Sequence, residues 1–94
     1  MEDQRKNWTD KDWAAFIDQL DKFYAWPALY TFKFVVKAGQ DEELKKLFPK
    51  HEHTSRPSKN GNYTSVTFEG MMPNAQSVVD VYKKASVIEG IIAL

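Results

Sequence analysis

A chain of 94 residues makes one domain, near the small end of what buries a core without staples. Its hydrophobic share of 43% is that of a globular protein, and the lack of cysteine excludes a disulfide framework and Cys-based metal or redox chemistry. Thirteen basic residues balance 13 acidic ones, so a partner bound by phosphate neutralisation, which wants a basic excess, is disfavoured.

The opening Met1-Glu2-Asp3-Gln4-Arg5-Lys6 lacks the apolar stretch of a secretory signal. No apolar run approaches the roughly 18 residues that span a bilayer. The expected setting is the cytoplasm.

Residues 1–8 are polar and expected to fray. Thr9 then opens a helix, because Thr9 and Asp12 have the spacing of a capping box. Trp8 before the cap and Trp13 within the helix are placed to form a hydrophobic staple. Trp13, Phe16, Ile17, Leu20, Phe23 and Tyr24 recur at helical spacing as one apolar stripe. Pro27 ends the element by biasing Trp26 out of the helical region.

Leu29 to Lys37 alternates as a strand, with Tyr30, Phe32, Phe34 and Val36 on the face that belongs against helices. A short helix is expected from Asp41 to Phe48, acidic at its start and basic at its end as its dipole favours, anchored by Leu44, Leu47 and Phe48. His51 to Ser58 is a strand that Pro57 confines to a sheet edge. Asn60-Gly61 is a hairpin turn, since both residues tolerate positive φ.

Tyr63 to Glu69 returns as a strand with Val66 and Phe68 inward, and Gly70 and Pro73 are expected to break the chain. Asn74 caps a further helix whose buried stripe is Val78, Val79, Tyr82 and Ala85, with Gly90 as its stop. Ile91 to Leu94 is a short last strand. The order is a leading helix followed by βαββαβ. That pattern folds into an α+β, ferredoxin-like sandwich with an antiparallel sheet in the order 4-1-3-2. The expected division is residues 1–26, a tail and amphipathic helix packed on the domain or at an interface, and residues 27–94, the ferredoxin-like domain.

The hairpin's wording carries more than its turn. Arg56-Pro57-Ser58-Lys59-Asn60-Gly61-Asn62-Tyr63-Thr64-Ser65-Val66 resembles the signature of the YbeD-like family of small bacterial proteins, a domain of unknown function. Pro27-Ala28-Leu29-Tyr30-Thr31-Phe32-Lys33-Phe34 is similar to that family's first strand, and Tyr82 through Leu94 to its closing helix and strand. The longer, tryptophan-rich leading helix departs from the family's best-known member. The resemblance implies an ACT-like regulatory fold and an association with lipoate metabolism. It brings no catalytic residues and no cofactor.

Arg56, Ser58, Lys59, Asn60 and Gly61 crowd two cations, a hydroxyl and an amide around a turn rich in backbone N–H groups, a setting for a carboxylate or phosphate. The bland reading is turn chemistry plus charges that keep a loop soluble. The turn requires Asn60-Gly61 but not Arg56. His51 and His53 lie two apart on one face of the edge strand, and a metal needs further ligands, for which Glu69 or Asp41 are the candidates. Solvated edge histidines are the simpler expectation.

An RNA module of this topology stacks bases on its open face, where only Tyr63 here offers a ring. The loop Lys37-Ala38-Gly39-Gln40-Asp41 lacks the arginine of an acylphosphatase. Trp13, Phe16, Phe23 and Tyr24 form a patch too large to leave in water, so they pack on the domain or serve as an interface.

The reading that follows is a non-enzymatic, metal-free regulatory or adaptor domain binding a protein partner or small anionic ligand through Arg56 to Asn62. Homodimerisation through the edge at Ile91 to Leu94 is a secondary expectation. The alternatives are a metal-dependent protein or enzyme using His51 and His53, and a single-stranded RNA-binding module.

Overall fold

A computed structural model describes residues 7–94; of the stretch expected to fray, residues 1–6 lie outside the described residues. Helix α1 spans Asp10–Phe23 and begins at the expected box. The Thr9 hydroxyl accepts from the Asp12 backbone N–H at 3.3 Å, and the Asp12 carboxylate accepts from the Thr9 N–H at 2.9 Å. Trp8 and Trp13 close the staple edge to face, with ring centroids 4.9 Å apart.

Strand β1 (Ala28–Lys37) pairs without a bulge along β3 (Tyr63–Met72), from Ala28 opposite Met72 to Lys37 opposite Tyr63. Helix α2 (Asp41–Leu47) and strand β2 (His53–Pro57) lie between them in sequence. Helix α3 (Ala75–Ala85) and a two-residue β4 (Ile92–Ala93) complete the chain. The sheet order β2-β3-β1-β4 is the expected ferredoxin-like arrangement, with the two aromatic-rich strands central.

The core lies between the sheet and the helices. Phe32, Phe34 and Val36 of β1 meet Val66 and Phe68 of β3 and Val78, Val79 and Tyr82 of α3, all buried. Helix α3 is the hub of the helical layer. Its Lys83 ammonium lies 5.3 Å from the Trp13 ring on α1, while Lys84 lies 5.4 Å from the Phe48 ring after α2. Tyr82 also touches the sheet, its hydroxyl 3.1 Å from that of Tyr30.

Several boundaries differ from the expectations. β3 runs through Gly70 to Met72 instead of ending at Glu69. Gly70 holds its place in the ladder opposite Tyr30, and a Cβ there would meet the His51 ring at 2.9 Å and the Met72 methyl at 2.8 Å. The missing side chain makes room for those two neighbours and does not break the strand. β2 begins at His53, two residues later than expected. α3 ends at Ala85, well before Gly90: past Ser86 the backbone bonds tighten to partners three residues back, Val87 N–H to the Lys84 carbonyl at 3.5 Å and Ile88 N–H to the Ala85 carbonyl at 3.1 Å.

Phe23 differs as well: it is 82% exposed, whereas Trp13 and Leu20 are buried. At 3.6 residues per turn Phe23 lies about 80° around the helix from Trp13, at the margin of the stripe. The stripe that α3 covers is narrower than the sequence pattern.

Candidate functional site

The hairpin joining β2 to β3 is built from its own side chains. Ser58 N–H donates to the Tyr63 carbonyl at 2.7 Å, and Tyr63 N–H donates to Ser58 Oγ at 3.1 Å. The Ser58 hydroxyl donates to Asn60 Oδ1 at 2.9 Å, and that oxygen also accepts from the Asn62 N–H at 3.1 Å. Gly61 N–H closes the turn onto the Ser58 carbonyl at 3.0 Å. The tip is tied to the sheet where Ala38 N–H donates to the Asn62 carbonyl at 3.0 Å.

Gly61 has φ of +77° with open space around an added Cβ, so it serves by backbone conformation alone. Asn60 keeps a negative φ, since among the described residues only glycines are positive. Its contribution to the turn is therefore the side-chain carbonyl and not the left-handed conformation expected of it.

These bonds divide the five candidate residues. Ser58, Asn60 and Gly61 are engaged in making the turn. Arg56 and Lys59 are exposed, and neither forms an ion pair among the described residues. Arg56 stands opposite Ser65, which places it with Thr54 on the sheet face away from the helices. Lys59 borders a shallow depression with Ser58, Asn60 and the exposed ring of Tyr63. Arg56 is carried on β2 and Lys59 on the turn that these bonds hold, and both residues are exposed to water.

The four residues weighed as an interface separate too. Trp13 is buried in the chain's own core. Phe16 packs edge to face on Tyr82 at 5.9 Å. Tyr24 is half-buried, its ring 5.4 Å from both Trp26 and Tyr30. Phe23 alone of the four faces solvent.

His51 and His53 lie on one side of the sheet, as their spacing implies, but as packing groups. Their rings sit 5.3 and 4.8 Å from that of Phe68. Burial holds the His53 pKa below its ordinary value, and the nearby Lys45 charge pushes the same way, with His51 adding to it and a backbone hydrogen bond at His51 opposing. Its Nε2 is buried with no hydrogen-bond partner among the described residues. Glu69 and Asp41 do not join the histidines: no group of three or more His, Cys, Asp or Glu is gathered among the described residues.

Two features were not read from sequence. Ser77 completes a capping box with Asn74, its N–H donating to Asn74 Oδ1 at 2.9 Å; the Asn-x-x-Ser spacing was the available signal. Met71 lies on the open face, 62% exposed, because β3 continues past Gly70.

Among the described residues no helix is long and apolar enough to cross a membrane. Comparison with curated proteins and with solved structures finds no match. A family model described as a protein of unknown function, DUF493, matches residues 21–94. With that match over the whole ferredoxin-like sandwich, hairpin included, the chain belongs to the DUF493 family, the YbeD-like family to which the wording of the hairpin points.

Proposed function

We propose that the chain is a non-enzymatic, cytoplasmic regulatory or adaptor domain of the ACT-like kind. It recognises an acidic group, on a protein partner or a small anionic ligand, through the hairpin at Arg56 to Asn62. The observation that carries this reading is the division within the hairpin. Ser58, Asn60 and Gly61 are used up in holding the turn, while the guanidinium of Arg56 and the ammonium of Lys59 stand exposed without an ion pair among the described residues. An arginine fork donates two parallel bonds to a carboxylate or phosphate, and an exposed lysine on the same hairpin adds a point charge. The association with lipoate metabolism rests on the family resemblance and directs the first choice of partners.

The test is the double variant Arg56→Ala, Lys59→Ala compared with wild type in affinity purification from cytoplasmic extract. Both residues are on the surface, so unfolding stability should move by no more than about 0.5 kcal/mol. The expected result is a partner or ligand captured by wild type and lost from the variant. Equal capture by both would leave the hairpin as a turn and nothing more.

A further inference from the structure

The sheet face turned away from the helices is patterned along its length. Alternate residues of β3, from Tyr63 to Met71, point to it, as do alternate residues of β1, from Leu29 to Lys37. The strand register sorts these side chains into rows. Arg56, Ser65, Val35 and Ile92 stand in one row across all four strands, and Thr54, Thr67 and Lys33 form the next. Thr31 and Glu69 follow, with Glu52 lining the same shallow depression as Glu69. Leu29 and Met71 close that end, and Tyr63 and Lys37 close the other.

The two ends of this face complement each other. Cations lie toward the hairpin, on Arg56 and Lys37, and carboxylates lie toward the far end, on Glu52 and Glu69. None of the four is in an ion pair among the described residues. Exposed apolar side chains also gather here. Of the six large ones that the described residues leave in water, four are on this face: Leu29, Tyr63, Met71 and Leu94. A foreign partner would need the reverse of this pattern. A second copy turned end for end has it. The chain's net charge of zero adds no overall repulsion between copies.

We propose that the open sheet face docks on the same face of a second copy, its charges selecting that occupant. A twofold axis between the two sheets, crossing the strands at the row of Thr54, Thr67 and Lys33, exchanges the ends. Arg56 of each copy then faces Glu52 of the other, with Glu69 next to it. The Tyr63 ring meets the Met71 thioether, a favourable contact between sulfur and an aromatic ring. Lys33, near the axis, lies diagonal to Glu69 of the other copy. Stacked sheets of this kind sit about 10 Å apart with their strands within about 30° of one line. Ten-residue central strands rise about 3.4 Å per residue and neighbours lie about 4.8 Å apart, so the four-stranded face offers about 600 Å² per copy. That is the lower end of a stable interface and suits a reversible, closed dimer. The contact lies on the face and not along the edge at Ile91 to Leu94. It does not rest on the hairpin's ligand but shares Arg56 with that site, so a bound acidic group and the second copy exclude one another.

Sedimentation equilibrium of the full chain tests the proposal through a charge exchange. The expected result is a monomer–dimer equilibrium that Glu52→Lys and Arg56→Glu each weaken about tenfold or more, because like charges then meet. Combining the two changes re-forms the pair with its signs reversed and should bring association back to within about threefold of wild type. A second measurement needs no variant. Mixed labelled and unlabelled wild type should show an intermolecular nuclear Overhauser effect between the Tyr63 ring and the Met71 methyl. A monomer at every concentration overturns the proposal, as does a dimer indifferent to the single changes or not restored by the double one. A wild-type dimer without the contact of Tyr63 and Met71 overturns it equally. None of these outcomes bears on the acidic ligand of the hairpin.

Discussion

At the scale of single residues, the hairpin separates side chains that hold structure from side chains that are free to act. Ser58 is the pivot of the turn, accepting from the Tyr63 N–H and donating to Asn60. Replacing it with alanine removes both bonds and leaves an Asn60 acceptor and a Tyr63 donor short of a partner. In so exposed a turn, Ser58→Ala should cost about 1 kcal/mol, within the range of an ordinary hydrogen bond. Arg56→Ala and Lys59→Ala should stay inside about 0.5 kcal/mol. Urea unfolding of the three single variants checks the contrast; equal losses at all three positions would mean that the cations hold the turn too. The turn was legible in the sequence because its chemistry is local, running from Ser58 to Tyr63. The means by which Asn60 contributes was not legible, since asparagine serves turns through its backbone or through its side chain alike.

At the scale of elements, β2 depends on what its one histidine, His53, rests upon. His53 lies over Phe68 of β3 with its pKa held down by burial and then by Lys45. The charged form is thus less favoured in the folded chain than in the unfolded one. Above about 6.5, the ordinary imidazole value, His53 is neutral in both states and the packing contributes fully. As pH falls below that value the unfolded chain takes up the proton first, and stability is lost progressively through the lower, folded pKa. Thermal unfolding between pH 7.5 and 5 should show a decline that His53→Leu reduces. An identical acid limb in the variant would assign the decline to other groups.

Sequence reasoning placed β2 at the edge through Pro57 and put both histidines on one face. It pictured their rings in water because the feature that draws His51 inward, the bare backbone of Gly70, belongs to the next strand. Helix α1 and strands β1 and β3 were legible for the opposite reason: caps and periodicity repeat within each element. Only their margins escaped. Phe23 fell outside the covered stripe, and β3 outran the glycine expected to stop it.

At the scale of the whole molecule, α1 stands apart from the sandwich that it covers. The family match begins at residue 21, so nearly all of Asp10–Phe23 precedes it. The helix is fastened mainly to α3, through Trp13 beneath Lys83 and Phe16 against Tyr82. Trp8 leans on both of those rings, and Trp26 donates its indole N–H to Asp21 on α1 at 2.8 Å. The chain has 3 tryptophans, and all of them lie in this region; the sandwich from Ala28 onward contains none. Indole emission from this protein therefore reports the docking of α1 and is nearly blind to the sheet. Far-UV ellipticity sees every element together. With few attachments compared with the strands, α1 should come away first on heating, so the emission transition should fall at a lower temperature than the loss of ellipticity. Superimposed transitions would show instead that the leading helix and the sandwich melt as one cooperative unit.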